Sequence, residues 1–134
     1  MPAAAPGARL VRQHPTKAKE SAVTPDEQTV LAVTTTVDST DAARHLAAGA
    51  VEARYAACAQ ITGPVTSVYR WRGAVETAQE WQVTFKTVAA RYPDLEAHLL
   101  AAHPYDTPEI LAAHVVHGSA DYLEWVAAET ARNS

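Results

Sequence analysis

The segment VLAVTTTVDSTDAARHLAAGAVEARY, from Val30 to Tyr55, changes its apolar periodicity once. Its first part, Val30 to Val37, is a nearly continuous run of apolar and β-branched side chains, which is typical of a strand buried on both faces of a sheet. From Ser39 to Tyr55 the small apolar residues recur at helical spacing. Asp38 or Ser39 can cap this helix, and Asp41 lies near the positive end of its dipole. The segment therefore predicts a central strand followed by a helix.

Two extended segments follow this helix. Residues 56–61 and 65–71 predict one long strand near a sheet edge, because Gly63-Pro64 would interrupt a central ladder but can form a bend at an edge. Arg72-Gly73 then supplies a turn. After this turn we expect a second strand that runs antiparallel to the first and forms a long hairpin with it.

The return strand of the hairpin is identified by alternation. After the polar stretch 76–80, the side chains of Trp81, Val83 and Phe85 alternate with polar ones, which indicates a half-buried strand. Lys86 continues this alternation on a strand that we expect to be central. Its ammonium group would then need an anionic or carbonyl partner.

The C-terminal half predicts a helix, a strand and a last helix. The helix runs from Tyr92 to Ala102 and ends at Pro104. A fourth strand is expected over Ile110 to Val116, and the hydroxyl of Ser119 can cap the last helix. The side chains of the last helix that should point inward are Tyr122, Leu123 and Val126.

The resulting order is β-α-β-β-α-β followed by α. This is the split β-α-β or ferredoxin-like arrangement of the α+β class, in which both crossover helices cover one face of an antiparallel sheet. The second face stays bare and carries the aromatic residues Tyr69 and Trp71, which share strand parity. Because this face would be exposed to solvent in a single subunit, we expect copies of the chain to associate through it.

Composition limits the number of domains and the possible partners. The 134 residues fit one domain over 26–134, preceded by a proline-rich tail over 1–25 that we expect to be disordered. After residue 25 the chain has seven basic and fourteen acidic residues, and the basic ones are scattered without a stripe. Nucleic-acid binding is therefore not expected. No segment is apolar enough for a membrane helix and the single cysteine excludes an internal disulfide, so we expect a cytoplasmic protein.

Several segments resemble the CutA family of divalent-cation tolerance proteins. They are VTTTVD, ARYAACAQI, VTSVYRWRG, EWQVTFKT, RYPDLEAHLLAAHPYDTPEI and HGSADYLEW, in this order. The resemblance implies a homotrimer with the sheets packed toward its centre, and a link to tolerance of divalent cations, copper especially. It also implies a likeness to PII signalling proteins, which bind small ligands between subunits. Some copper-binding relatives carry cysteine where this chain has Thr34, and a hydroxyl is a poor ligand for soft metals.

Three residues are candidate metal ligands. The resemblance places His103 in an intersubunit cleft, where a neutral imidazole can bind copper or zinc, although a histidine at a helix end can equally serve as a structural hydrogen-bonding residue. Glu109 can add a carboxylate, or belong to a rigid turn into the fourth strand. Cys58 can supply a thiolate, or pack as a small apolar residue.

A second set of residues is a candidate for an anionic ligand or for an interface. The resemblance places Trp71, Lys86 and Tyr105 in the same cleft. A cation flanked by two aromatic groups can bind a small anionic molecule, but Lys86 can also form a structural salt bridge. Tyr69, Trp71 and Trp125 are expected in the trimer interface, since a bare sheet face needs large rigid apolar groups.

The sequence carries no catalytic motif. GxSxG, HExxH, Walker and GxGxxG patterns are all missing, so we predict a protein that is not an enzyme and that requires no cofactor. The first functional hypothesis is a trimer that binds copper or another divalent cation weakly between subunits. The alternatives are a PII-like module for a small anionic molecule and a trimeric scaffold without a specific ligand.

Overall fold

A computed structural model of the chain describes residues 26–132. Its elements are β1 (Val30–Val37), α1 (Thr40–Glu52), β2 (Cys58–Trp71), β3 (Ala74–Val88), a 3-10 turn (Ala89–Arg91), α2 (Tyr92–Ala102), β4 (Leu111–His114) and α3 (Ala120–Glu129). The sheet order is β2-β3-β1-β4 and every pair is antiparallel. The predicted ferredoxin-like α+β fold with an extra C-terminal helix is confirmed. The tail predicted over 1–25 lies outside the described residues.

The main core lies between one face of the sheet and helices α1 and α2. Val33 of β1 pairs with Phe85 of β3, and both side chains are fully buried. Leu46 of α1 and Leu95 and Leu99 of α2 pack on them from above. The fully buried alanines of α1 let this helix lie close to the strands, and they are Ala43 and Ala50. This core fixes β1 and β3 as the central strands.

Helix α3 covers one end of the opposite face, which corrects the expectation of an entirely bare second face. Val30 and Val88 are sequence neighbours of core residues, so their side chains point to the other side of the sheet. There they pack with Ala57 and with Val126 of α3. The predicted inward direction holds for Val126, which is fully buried, but Tyr122 is 42% exposed. Only the remainder of this face is open in a single subunit.

Several details of the elements differ from the sequence prediction. Helix α1 ends at Glu52, short of Tyr55, because Arg54 takes a left-handed φ of 65° that a helix cannot continue. Its start is as expected, since the Ser39 hydroxyl accepts a hydrogen bond from the amide of Ala42. Strand β4 covers only Leu111–His114. Helix α3 has no side-chain cap from Ser119.

The β2–β3 hairpin projects beyond the four-stranded sheet. Strand β1 ends where Val37 pairs with Trp81, so residues 65–80 pair only with each other. This hairpin arm (residues 65–80) includes the polar stretch 76–80, which the sequence prediction had placed before the strand. A register shift lies between Thr62 and Val65, at the predicted Gly63-Pro64 bend. The exposed large apolar side chains of the arm are Val68, Tyr69, Trp71 and Val75.

Candidate functional site

His103 is held at the end of α2 by hydrogen bonds on both ring nitrogens. Its Nε2 lies 3.0 Å from the carbonyl oxygen of Thr36 and 3.0 Å from the hydroxyl of Thr35. Because a carbonyl can only accept, Nε2 carries the proton. Its Nδ1 accepts a hydrogen bond from the backbone N–H of Tyr105 at 3.1 Å. The imidazole is therefore neutral, and in this conformation neither nitrogen offers a free lone pair to a metal.

The environment of His103 disfavours its charged form. Burial lowers the pKa of His103 below its ordinary value of 6.5, against the raising effects of the Thr36 carbonyl, Asp38 and Glu80. The same Nε2–H can also donate to the hydroxyl oxygen of Thr35, whose residue is fully buried on the core face of β1. The contacts therefore give His103 a structural role that joins α2 to the end of β1.

This arrangement predicts a pH dependence of stability that involves His103. As the pH falls below about 6.5, the unfolded chain takes up a proton on this ring while the folded chain resists it, so the free energy of unfolding decreases. Denaturant titrations at about pH 7.5 and about pH 5.5 measure the loss. In His103→Gln, whose amide can still donate to Thr36, the loss should be smaller. An equal loss in both proteins would contradict the assignment.

The ring of Tyr105 lies beside His103, and the charges of Glu80 and Asp38 reach the imidazole. Glu80 precedes Trp81, the last β3 partner of β1, and accepts a 2.7 Å hydrogen bond from the hydroxyl of Tyr105. The rings of His103 and Tyr105 are 4.9 Å apart between centroids. Burial, followed by the bond to Glu80, raises the pKa of Tyr105, which keeps the phenol a donor. Tyr105 therefore fixes the position of the Glu80 carboxylate.

Glu109 completes this group, which we name the carboxylate cluster (Glu80, Tyr105 and Glu109). Burial raises the pKa of Glu109, and the negative charge of Glu80 raises it further. Two carboxylates that repel each other in a partly dehydrated place are stabilised by a cation between or beside them. A cation bound at the carboxylate cluster would reduce this repulsion.

Cys58 and Lys86 lie at the other end of the sheet. They are cross-strand partners, and the Cys58 sulfur is 3.5 Å from the hydroxyl of Tyr122 on α3. The ammonium of Lys86 donates to the side-chain oxygen of Gln60 at 3.1 Å, so its partner here is an amide rather than an anion or a backbone carbonyl. Along β3, Lys86 is six residues from Glu80, a distance of about 20 Å. One subunit therefore does not bring Cys58 to His103, or Lys86 to Tyr105.

The three aromatic residues predicted for the trimer interface are all exposed. Tyr69 and Trp71 lie on the hairpin arm and are 42% and 44% exposed. Trp71 pairs with Ala74 near the tip, again about 20 Å along β3 from Glu80. Trp125 lies on α3 with its ring 5.6 Å from that of Tyr122. Their place in an interface stays a prediction.

A complete metal site within one subunit is not formed by the residues that the structure describes. Between residues 26 and 132, no three or more histidine, cysteine, aspartate or glutamate side chains are grouped so as to hold a metal ion. The carboxylate cluster supplies two carboxylates, fewer than the oxygen ligands that a hard cation takes. Further ligands would have to come from water or from another copy of the chain.

Glu80 and Thr35 are site residues that the sequence analysis missed. Glu80 belongs to the polar stretch 76–80 that the pattern places before the strand, although its position directly before Trp81, the first apolar residue of the alternation, is a usable signal. Thr35 is a hydroxyl within a run of buried apolar residues, which requires a distant hydrogen-bonding partner. The sequence alone gives no sign that this partner is His103.

The sequence pattern of the family described as CutA1 divalent ion tolerance protein matches residues 31–129. This chain belongs to the CutA1 family. It is 41% identical over 95 residues to the divalent-cation tolerance protein CutA of Thermus thermophilus, a match that covers 71% of this chain and 92% of that relative. The family resemblance seen in the sequence is therefore confirmed.

Solved CutA structures share the fold. The crystal structure of CutA from Xylella fastidiosa has a TM-score of 0.75 at 34% identity, covering 76% of this chain and 98% of that one. A CutA structure from Archaeoglobus fulgidus, described as a periplasmic divalent cation tolerance protein, has a TM-score of 0.74 at 27% identity, covering 76% and 99%. Because that CutA relative is called periplasmic, the cytoplasmic location of this chain stays a prediction. No helix between residues 26 and 132 has the length and apolar character to cross a membrane.

Proposed function

We propose that this chain takes part in divalent-cation tolerance as a non-enzymatic protein that binds cations weakly in clefts between the copies of a homotrimer. The observation that carries the proposal is the carboxylate cluster, in which the Glu80 carboxylate is held by a 2.7 Å hydrogen bond from Tyr105. Burial, and then the negative charge of Glu80, raises the pKa of Glu109 in the same cluster. Membership of the CutA1 divalent ion tolerance family supports the cellular role.

Glu80 and Glu109 are the proposed donors, and His103 is the proposed positioning residue. Carboxylate oxygens bind divalent cations directly, and binding at Glu80 or Glu109 does not require the hydrogen bonds of the His103 ring to break. His103 would have to give up the amide of Tyr105 or the carbonyl of Thr36 before it bound a metal. Copper, which favours nitrogen and sulfur ligands, would therefore bind less strongly here than in a site with free imidazole or thiolate groups. Cys58 would need donors from another copy.

The proposed assembly rests on the hairpin arm. In a single subunit it leaves Val68, Trp71 and Val75 exposed on a two-stranded ladder, and such an isolated ladder is only marginally stable in water. Packing against another copy would bury these side chains and cover the arm. Trimer formation, which the resemblance implies, would also bring Trp71 or Lys86 of one copy toward the carboxylate cluster of the next.

The test of the proposed function is calorimetric titration of the full chain with Cu²⁺, Zn²⁺ and Mn²⁺. Replacing either carboxylate, in Glu80→Gln or Glu109→Gln, should weaken the binding of the preferred cation on the order of tenfold, since one charged ligand is lost. Glu52→Gln, which removes an exposed carboxylate from α1, is the matched control and should bind as the unmodified chain does.

His103→Gln separates the two possible roles of the imidazole. If His103 only positions Tyr105, cation affinity should change much less in this variant than in Glu109→Gln. Loss of binding in His103→Gln together with normal binding in both glutamate variants would instead make the imidazole the ligand, and would contradict the carboxylate proposal.

A further inference from the structure

A cavity of about 430 Å³ lies on the side of the molecule away from the hairpin arm. It forms where the end of α1, the start of α2 and the residues after α3 meet. Three arginines from these separate parts of the chain line it, and they are Arg54, Arg91 and Arg132. Tyr55 and Asp94 complete its polar wall. Sites for small molecules occupy about 300 to 1,000 Å³, so the cavity has room for one.

Arg91 is a buried and fixed cation in this wall. It is only 7% exposed. Its guanidinium donates to the carboxylate of Asp94 at 2.9 Å and to the carbonyl oxygens of Arg54 and Ala53 at 3.3 and 3.4 Å. It also lies over the ring of Tyr55, 5.2 Å from the centroid. These contacts occupy three of its five N–H groups within the described part of the chain, and they hold the planar fork in one orientation.

The other two guanidinium groups are more accessible. The side chain of Arg54 is 41% exposed and touches Glu129, at 3.0 Å from the backbone oxygen and 3.8 Å from the carboxylate. The side chain of Arg132 is 64% exposed and lies 3.2 Å from the same Asp94 oxygen that Arg91 contacts. Asp94 therefore forms ion pairs with two arginines. Exposed pairs of this kind exchange partners at little cost.

The concentration of positive charge here is unusual for this chain. Residues 26–132 contain fourteen acidic and only seven basic side chains, and three of those seven line this one cavity. Three arginines and one aspartate give the lining a formal charge of +2. Asp94 lies in the first turn of α2, whose backbone dipole adds positive potential at the same place. The cavity therefore attracts anions although the protein as a whole repels them.

We propose that this cavity is a binding site for a small molecule that carries a phosphate group. The planar guanidinium fork matches phosphate oxygens with two parallel hydrogen bonds, and three such groups can surround a dianion. A phosphate would take the exposed faces of Arg54 and Arg132, while Arg91 stays in place as the buried cation. Tyr55, whose ring lies under the Arg91 guanidinium, also lines the cavity and can contact the organic part of the ligand.

The test is calorimetric titration of the full chain, free of added metal and at low ionic strength, with inorganic phosphate and with glycerol 3-phosphate. We expect saturable binding of one anion per chain, and about tenfold weaker binding in Arg54→Gln and in Arg132→Gln. Both residues are partly exposed, so the variants should keep the fold. Arg44→Gln, on the exposed side of α1 and outside the cavity, removes the same charge and should bind normally. No saturable binding, or an equal loss in Arg44→Gln, would overturn the proposal.

Asp94→Asn gives a gain-of-affinity test. Removing this carboxylate frees Arg132 and part of Arg91 from a competing anion, so phosphate should bind several-fold more tightly. Weaker binding in a variant with an unchanged circular dichroism spectrum would contradict the site.

Comparing the two ligands shows whether the site recognises more than phosphate. If glycerol 3-phosphate binds more tightly than inorganic phosphate, the organic part of the ligand contributes to binding. If the two affinities are equal, the site recognises the phosphate group alone. Glu109→Gln should leave all of these affinities unchanged, which separates this site from cation binding.

Discussion

Replacing Phe85 with alanine is expected to lower the free energy of unfolding by about 3–5 kcal/mol, the cost of removing a large aromatic side chain from a packed core. Phe85 is fully buried in the part of β3 that pairs with β1, and β3 is a central strand. It packs with Leu46 of α1 and Leu95 of α2, and its register partner on β1 is Val33. Because these neighbours belong to three different elements, they cannot all move inward to fill the cavity.

Denaturant titration at a fixed protein concentration measures this loss for Phe85→Ala. Leu100→Ala is the matched control, because Leu100 is a large apolar residue that is 56% exposed on α2. Its substitution should change the free energy of unfolding by no more than about 0.5 kcal/mol. A small effect of Phe85→Ala, comparable with that of the control, would contradict the description of one core beneath α1 and α2.

The elements that pack on the core could be predicted from the sequence. The continuous apolar run of β1 and the bounds of α2 agree with the structure at Val30–Val37 and Tyr92–Ala102. In both cases burial imposes a pattern on the side chains that is readable without knowledge of the partners. The alternation of β3 likewise predicts that Val83 and Phe85 share one face, and both are fully buried in the structure.

The hairpin arm could not be predicted over its full length. Its strands are held by backbone hydrogen bonds, and in a single subunit neither side of the ladder is buried. Residues 76–80 therefore carry no alternation and resemble a loop, although they belong to β3. The left-handed residue Arg54 likewise ends α1 three residues before the apolar pattern stops, because tertiary contacts with Arg91 hold that turn.

The sites depend on contacts between residues that are distant in sequence. His103 meets Thr36 across 67 positions and Tyr105 meets Glu80 across 25. No local signal reports such pairs, so the sequence could name His103, Tyr105 and Glu109 but not their arrangement. The scattered basic residues gave no hint of a cluster, yet the fold collects Arg54, Arg91 and Arg132 around one cavity. Lys86 and Cys58 were named individually, and the structure places them as neighbours.

A negative charge introduced on the hairpin arm is expected to dissociate the proposed trimer into single chains. In Trp71→Glu, a side chain proposed to pack against a neighbouring subunit becomes an anion, and burying an unpaired carboxylate costs several kcal/mol. The variant should sediment largely as a single copy. Its cation affinity should also fall, although the carboxylate cluster itself is unchanged, because the cleft between copies no longer exists.

Leu100→Glu is the control for this variant. It introduces the same charge at an exposed apolar position on α2, outside the arm, and should leave both the mass of the assembly and cation binding as they are in the unmodified chain. Dissociation by both substitutions would indicate a general effect of added charge. If Trp71→Glu keeps the mass of the assembly, the hairpin arm is not part of the interface.

Sedimentation equilibrium of the unmodified full chain tests the shared cleft most directly. The account predicts a species of three chains of 14.3 kDa each at micromolar concentration, which persists without added metal. A well-folded single chain that binds divalent cations as tightly as the protein does at high concentration would contradict it.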